Sequence, residues 1–455
     1  MIFKSTKKTV VFLVLLAITS GTFWNVKVWG DQEARGDDQT YLAIATDILD
    51  RGTFTEKGHQ AEIEPLYPFF IASLYKVFGR SQDVVRVAQI IMFAATIVAL
   101  YFLSKSLTTP SLALLASSIS AVFYGLARPT GSLYRETLII FFAVIIMLAL
   151  YKACTGLRLV WFAVAGAVLG LYVLLNSSSQ FFFVFITAGI VLVLYSKVTW
   201  KQVFVRCAVF LVALIIVLSP WIIRNQVSKA DAIIAPRAGL VLLRRLESAN
   251  VLYENYKLNL MGYTLGYFFS ESIDPNILKK IFRPTNQIEE RQAQLLKEGY
   301  SYGEIDSIFL EEFKSQIKFA PHKYLSIVLI NFLHLNNPFI PDKDDLANVS
   351  TILLFTGDRH PDLEFYSKAT VILTLRVGWL IFFTLTAYGI YKTRTRWRNF
   401  VFIFLYLAYI NIIFSASHGI PRFALPMYPF YILLAVIGLS HILKRYPALH
   451  RLQID

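Results

Sequence analysis

Long apolar runs are the feature that most constrains how this chain can fold. About ten such runs recur between Thr9 and Leu443, and several approach the roughly 20 residues that an α-helix needs to cross a bilayer. Of the 455 residues, 56% are hydrophobic and only 16% are charged. A soluble protein of this size carries about a quarter charged residues. The sequence therefore predicts an all-α polytopic membrane protein with about ten transmembrane helices.

The basic residues are distributed unevenly between the loops. They cluster before the first apolar run, in alternate short loops and after the last run: Lys4, Lys7, Lys8, Lys105, Lys152, Arg158, Lys197, Lys201, Arg206, Lys392, Arg394, Arg396, Arg398, Lys444 and Arg445. The intervening short loops carry only Arg128, Arg135 and Arg422. Because cytoplasmic loops collect Lys and Arg, this pattern predicts that both termini are cytoplasmic. The net charge of +14 is thus a topology signal, and nucleic acid is not an expected partner.

The apolar runs delimit three predicted segments. Residues 1–220 form an N-terminal membrane module whose first outer loop spans 30–82, residues 221–368 form an extracytoplasmic segment, and residues 369–455 form the C-terminal membrane helices. The first run, Thr9 to about Phe23, is expected to be a retained anchor and not a cleaved signal peptide. The only two cysteines are Cys154 and Cys207, so no disulfide framework is expected.

The extracytoplasmic segment is predicted to be mostly helical. Glu289–Lys297 and Glu304–Phe319 have the pattern of amphipathic helices. The apolar run Tyr324–Leu335 is only about a dozen residues long and is diluted by Asn331 and His334. It is therefore predicted to lie along the membrane surface or to insert partly, and not to span the bilayer.

An acidic stretch follows the first apolar run. Residues 36–68 carry seven carboxylates: Asp37, Asp38, Asp47, Asp50, Glu56, Glu62 and Glu64. Apolar residues recur there at helical spacing, at Tyr41, Leu42, Ala45, Ile48 and Leu49. The pattern predicts a helix along the membrane surface with Asp37 and Asp38 at its amino end. Carboxylates in that position either cap the helix and complement its dipole or act as catalytic groups, and spacing alone leaves both readings open.

Five motifs, taken in order, resemble one family. GDDQTYLAIATDILDRGTFT resembles the first extracytoplasmic loop of the C-type glycosyltransferases, particularly glycosyltransferase family 39, which includes protein O-mannosyltransferases and aminoarabinose transferases that act on lipid A. In that loop an acidic pair is followed three residues later by a tyrosine, and farther on by a glycine. The matching residues in this chain are Asp37, Asp38, Tyr41 and Gly52. The family more often has Asp-Glu, so Asp38 is a mild departure. EPLYPFFIASLYKVFG, YRETL, SPWIIRN and HGIPRFALPMYP resemble four further segments on the same membrane side.

The resemblance implies an inverting transfer of a sugar from a polyprenyl-phosphate donor to an extracytoplasmic hydroxyl. This reaction needs a positioned carboxylate as general base, and Asp37 is the expected base. For Asp38 a catalytic role and a capping role remain open. Glu136 falls on the family's glutamate near the second outer loop, and pairing with Arg135 or Arg128 is the structural alternative.

The departing lipid phosphate needs fixed cations, for which the planar fork of arginine is suited. Arg224 and Arg422, with Arg128 or Arg135, stand at predicted outer ends of spans. Interfacial anchoring is the alternative for Arg224 and Arg422. Tyr67 and His418 are two further expected substrate contacts. The alternative for Tyr67 is a packing role, and the alternative for His418 is a hydrogen-bonded histidine at the membrane interface.

The expected reaction requires no cofactor, because the sugar-phosphate is already activated. Asp37 and Asp38 could hold a divalent ion, but the resemblance points to a metal-independent branch. His59 with Glu62 and Glu64 has loose spacing, and a solvated loop is the preferred reading there.

The expected setting is a bacterial inner membrane with the reaction on the periplasmic side, where the partners are the lipid-linked donor, a lipid, glycan or protein acceptor, and membrane lipids. Three alternatives remain: a flippase or transporter for lipid-linked saccharides, an O-antigen ligase or polymerase that uses a lipid-pyrophosphate glycan, and a binding subunit that has lost catalysis. A one-sided group of charges and the lack of a sequence repeat favour an enzyme over a transporter.

Overall fold

Helices form almost all of the described structure. The computed structural model describes residues 5–26, 36–56, 59–60, 63–227, 234–235, 237–265, 270, 273–276, 287–319, 321–337 and 361–444. Within these residues the only strands are two short antiparallel ones, β1 (Thr55–Glu56) and β2 (His59–Gln60). The predicted all-α class is confirmed.

The structure describes nineteen α-helices within these residues. In chain order they are α1 (Thr6–Trp24), α2 (Asp37–Arg51), α3 (Leu66–Phe78), α4 (Gln82–Leu107), α5 (Pro110–Val122), α6 (Tyr124–Ala127), α7 (Glu136–Gly156), α8 (Leu159–Leu175), α9 (Phe182–Leu194), α10 (Trp200–Val227), α11 (Ala238–Glu254), α12 (Tyr256–Leu265), α13 (Gln287–Lys297), α14 (Tyr302–Ile317), α15 (Pro321–Leu335), α16 (Pro361–Thr393), α17 (Trp397–Ala416), α18 (Pro421–Ala424) and α19 (Tyr428–Leu443). Short 3₁₀ turns occur at Arg128–Thr130, Ser177–Ser179, Arg394–Arg396 and Leu425–Met427.

Seven helical stretches of the described chain are long and apolar enough to cross a membrane, or eight if the bent pair Pro110–Val122 and Tyr124–Thr130 is one span. One of the seven, Leu373–Ala416, contains parts of two helices, α16 and α17. The apolar helix α8, with 17 residues, falls just short of the required length. Each predicted apolar run thus contains a helix, and the count of ten spans stays a prediction.

The chain divides into two compact units. The first comprises residues 1–227, 384–409 and 425–455, and the second comprises residues 228–383 and 410–424. The segment boundaries predicted at 220/221 and 368/369 stay a prediction.

Close helix packing organises the first unit. Helix α8 carries Gly166 and Gly170 one turn apart, and both face α10. A β-carbon at Gly166 would overlap the carbonyl oxygen of Phe210, so the two backbones approach as closely as small residues permit. Farther along α8, the Tyr172 hydroxyl lies 2.8 Å from the hydroxyl of Tyr406 on α17. The membrane helices of this unit therefore pack through both small residues and a buried polar contact.

The second unit has its own small apolar core. Helices α11, α13, α14 and α15 contribute buried residues to it: Leu243, Leu246, Leu252, Ile288, Ile305, Phe309, Phe313 and Ile327. The two predicted amphipathic helices are confirmed as α13 and α14. The polar residues of α15 bind the end of α17, because Asn331 Nδ2 donates to the carbonyl of Ser415 at 2.9 Å and the Tyr324 hydroxyl donates to the carbonyl of Ala416. The surface position expected for α15 stays a prediction.

Candidate functional site

The predicted acidic helix is present as α2, and its ends are set by two glycines. Gly36 precedes it with φ +58° and Gly52 follows it with φ +68°, conformations that favour glycine. Asp37 is the first residue of the helix and is exposed, whereas Asp38 is only 5% exposed. The two carboxylates therefore occupy different environments at the positive end of the helix dipole.

Two buried tyrosines lie beside this helix start. The rings of Tyr41 on α2 and Tyr67 on α3 meet edge to face, with centroids 4.9 Å apart. The Tyr67 hydroxyl donates to Gln89 Oε1 at 3.2 Å, and Gln89 Nε2 donates to the carbonyls of Thr130 at 3.2 Å and Ser132 at 2.6 Å. Tyr67 is 1% exposed, so in this structure it packs and fixes the second outer loop.

Glu64 and Arg135 form a buried ion pair that joins three connections of the first unit. Glu64 Oε1 accepts from Ser177 N at 3.0 Å and from Ser177 Oγ at 2.7 Å. Arg135 Nη1 donates to Glu64 Oε2 and, at 2.7 Å, to the carbonyl of Leu175. Because Glu64 is 5% exposed, the prediction that it belongs to a solvated loop is wrong. The burial of this carboxylate could not be predicted from the sequence, because its partners lie 71 and 113 residues away along the chain.

Charged groups of the first unit influence the pKa values of Tyr41 and Arg135. Burial raises the pKa of Tyr41, Arg135 lowers it, and Glu64, Glu136 and Asp37 raise it further. Burial lowers the pKa of Arg135, but Glu64, Tyr41 and Glu136 outweigh this effect and raise it overall. Glu136, the first residue of α7, is itself 5% exposed. Glu64 and Glu136 thus act on both Tyr41 and Arg135, whereas the exposed Asp37 acts on Tyr41.

Arg224 lies at the end of α10 against aromatic rings that border the first loop. Its guanidinium carbon is 4.8 Å from the ring centre of Trp221 and 5.6 Å from that of Phe54, which follows α2. Arg224 Nη1 also donates to Asn225 Oδ1 at 3.0 Å. Arg128, in the second outer loop, has its guanidinium 5.9 Å from the Tyr124 ring centre. Stacking of this kind holds a guanidinium in place while its donors stay available.

Arg422 and His418 belong to the second unit. The Arg422 guanidinium lies 5.6 Å from the ring centre of Phe423, and the His418 ring lies 5.9 Å from the same ring. The structure therefore groups these two predicted residues with each other.

Three residues of the second unit were missed by the sequence reasoning. Arg245 donates to Asn331 Oδ1, and Arg376 Nη1 donates to the carbonyl of Tyr263 at 3.0 Å. Burial lowers the pKa of His334 to about 3, with Arg245 contributing in the same direction. The only sign of such residues in the sequence was the presence of polar side chains within the apolar run that forms α15.

The described residues contain no group of three or more His, Cys, Asp or Glu side chains that could hold a metal ion. The side chain of His59 and residue Glu62 lie outside the described residues. The site thus offers an exposed carboxylate on a helix start, a buried polar support and stacked arginines. These groups are suited to accept a proton from a hydroxyl and to hold an anion.

Residues 60–223 match the family model described as dolichyl-phosphate-mannose-protein mannosyltransferase. No curated protein sequence matches the chain significantly.

Several solved structures are similar to this chain. The archaeal oligosaccharyltransferase AglB from Archaeoglobus fulgidus, in complex with an inhibitory peptide and a dolichol-phosphate, matches with a TM-score of 0.54 and 14% identity over 98% of this chain and 52% of that chain. The same enzyme tethered to an acceptor peptide matches with a TM-score of 0.53 and 13% identity, over 97% of this chain and 50% of that chain. ArnT from Cupriavidus metallidurans bound to undecaprenyl phosphate matches with a TM-score of 0.41 and 13% identity, over 96% of this chain and 78% of that chain.

The chain spans about half the length of the archaeal structures. The family match and the shared fold confirm the resemblance to the C-type glycosyltransferases.

Proposed function

We propose that this chain, which resembles the C-type glycosyltransferases in sequence and in fold, transfers a hexose or pentose from a polyprenyl-phosphate donor to an extracytoplasmic hydroxyl with inversion. Asp37 is the general base that takes the proton of the acceptor hydroxyl as it attacks the anomeric carbon. The sugar–phosphate bond breaks, and the lipid phosphate leaves with the electron pair. No nucleotide or redox group is needed, because the donor carries the activation.

The observation that carries this proposal is the environment of Asp37. An effective general base must be both fixed and accessible, and proton transfer to such a base contributes about 10² to 10⁴ in rate. Asp37 is exposed and is the first residue of α2. The next residue, Asp38, and Tyr41, one turn into the helix, are both buried. Asp38 is buried directly behind it in the chain, and Glu136, the first residue of α7, acts together with Asp37 on Tyr41.

The proposed cation for the donor phosphate in the first unit is Arg224, with Arg128 as a further contact. The donor-binding roles of Arg422 and His418, which lie in the second unit, stay predictions from the sequence. The proposed role of Arg224 is supported by its stacking on Phe54, which follows α2 in the chain. The archaeal enzyme with the shared fold was solved with a dolichol-phosphate, which is consistent with a lipid phosphate here. Arg135 is engaged by Glu64 and the carbonyl of Leu175.

The proposed location is a bacterial inner membrane, with the acidic helix on the periplasmic side and both termini in the cytoplasm. The support is the alternation of basic loops along the sequence. The acceptor is a lipid, a glycan or a protein that reaches this membrane face.

The test is transfer from a set of radiolabelled polyprenyl-phosphate sugars to endogenous membranes, with wild type compared to Asp37→Asn. Asp50→Asn is the matched control, because Asp50 is a surface carboxylate of the same helix that accepts from Arg80 Nη1 at 3.1 Å. Loss of transfer with Asp37→Asn alone, at equal protein abundance, supports the assignment. Equal transfer by Asp37→Asn and wild type would show that another group is the base.

The other outcomes separate the alternative functions. Transfer only from lipid-pyrophosphate glycans would indicate a ligase or polymerase. Movement of a lipid-linked saccharide across proteoliposome membranes without transfer would indicate a flippase.

A further inference from the structure

The buried pair of Glu64 and Arg135 connects the first outer loop to two other connections of the first unit. Their side chains are 6% and 18% exposed. Through Ser177 and the carbonyl of Leu175 the pair also binds the turn between α8 and α9. A buried ion pair is weak evidence for stability, because taking both charges out of water costs about as much as their attraction returns. Its position beside the acidic helix therefore suggests a use other than stability.

The same loop touches the residue in front of Asp37. A β-carbon at Gly36 would lie 4.0 Å from the hydroxyl of Tyr134, which immediately precedes Arg135. Tyr41, one turn into α2, packs edge to face against Tyr67, which lies three residues after Glu64, with ring centroids 4.9 Å apart. The start of α2 is therefore bordered by the Tyr134 hydroxyl on the side of Gly36 and by Tyr67 on the side of Tyr41.

The groups facing Arg135 are almost all acidic. They are Glu64 from the loop before α3, Glu136 from the start of α7 and Tyr41 from α2. Arg135 is the cation that opposes these carboxylates, and its Nη1 is already committed to Glu64 and to a main-chain carbonyl. A guanidinium held in this way is suited to fix the loops that border an acidic helix.

We propose that Glu64 and Arg135 are positioning residues that hold the start of α2, and with it Asp37, in its reactive place. In this role Arg135 acts through Asp37 and does not bind the donor phosphate. The inference rests on the proposed function for its kinetic consequences. The placement of α2 can be tested without any activity.

The kinetic test compares wild type, Arg135→Gln and Arg135→Lys. Arg135→Gln should lower kcat by about 10²-fold, because small displacements of a catalytic group cost that much. The KM for the lipid donor should stay near the wild-type value. Arg135→Lys keeps the charge but loses the planar fork, so it should recover only part of kcat.

Arg86→Gln is the matched control. Arg86 is also a buried arginine that binds a loop carbonyl, at 3.2 Å to Gly131, and pairs with a carboxylate, at 3.0 Å to Asp83. It should lose thermal stability like Arg135→Gln but keep the wild-type kcat. A rise in the donor KM with unchanged kcat in Arg135→Gln would make Arg135 a phosphate ligand and overturn the proposal. Identical kinetics of the two variants would overturn it as well.

Hydrogen exchange of the purified full chain in detergent supplies the second readout. Arg135→Gln and Glu64→Gln should speed exchange of the backbone amides in residues 37–51, and Arg86→Gln should not. Unchanged exchange in this helix would overturn the positioning role even if kinetics changed. If wild type transfers no sugar at all, the proposed function fails, while the exchange result still decides whether the pair holds α2.

Discussion

Asp37 and Asp38 are neighbours at the start of α2, yet the first is exposed and the second is 5% exposed. The helix geometry separates adjacent side chains by about 100° of rotation, so one carboxylate points outward while the next turns toward the interior. The carboxylate of Asp38 acts on the buried Tyr67, whose pKa is raised first by burial and then by Asp38. The acidic pair of the sequence is therefore one accessible group and one interior group.

Replacing each member of the pair should give different results. Asp37→Asn is expected to lower kcat by about 10² to 10⁴ without a change in thermal stability, because the side chain is exposed and acts as the base. Asp38→Asn is expected to lower the unfolding free energy by about 1 to 3 kcal/mol, because it alters a buried polar group. Transfer assays and thermal unfolding in detergent check both. Equal stability losses in the two variants would contradict the division of roles.

Arg224 should affect donor binding. Arg224→Gln is expected to raise the KM for the lipid donor about tenfold, because a charge-assisted hydrogen bond to phosphate is worth about 1.5 to 3 kcal/mol. Arg224→Lys should recover part of the affinity, since it keeps the charge but loses the planar fork. Arg206→Gln is the control on the same helix, where Arg206 Nη1 donates to the carbonyl of Gln202 at 2.9 Å. A donor KM that is unchanged in Arg224→Gln would leave only the anchoring role.

Stability should fall with acid because of His334. Burial, with the added effects of Arg245 and His418, lowers the pKa of His334 from the ordinary 6.5 to about 3. The unfolded chain therefore binds the proton more readily, so this contribution to stability is complete above pH 6.5 and is lost as the pH falls toward about 3. His334→Gln should flatten the dependence of Tm on pH across that window. His322→Gln, on the exposed side of α15, should leave it unchanged, and parallel curves for all three proteins would contradict the prediction.

Alanine at the glycines of α8 should separate two membrane helices. A β-carbon at Gly170 would lie 2.8 Å from the Val217 side chain, and one at Gly166 would overlap the Phe210 carbonyl. Overpacking of this kind costs about 1 to 3 kcal/mol, more than alanine returns through helix propensity. Gly156→Ala is the control, because a β-carbon there meets nothing within 4 Å. A Tm of Gly166→Ala equal to that of wild type would show that the helices adjust without cost.

The sequence was sufficient where the information is local. Hydrophobic run length and helical spacing are properties of neighbouring residues, so the membrane class, the acidic helix and the amphipathic helices α13 and α14 could be predicted from them. The motif that includes Asp37 and Asp38 was likewise local. In each case a few consecutive turns decide the outcome, whatever the rest of the chain does.

Only the tertiary structure decided which polar residues are buried and with whom. Glu64 has the sequence context of a loop, and its burial depends on Arg135 and Ser177, which lie 71 and 113 residues later. Likewise, Asn331 and His334 interrupt an apolar run in the sequence and give no sign of a partner there. In the structure the Asn331 side chain hydrogen-bonds to the end of α17. The energy of a buried charge or amide depends on partners brought near by folding, and periodicity along one helix carries no record of them.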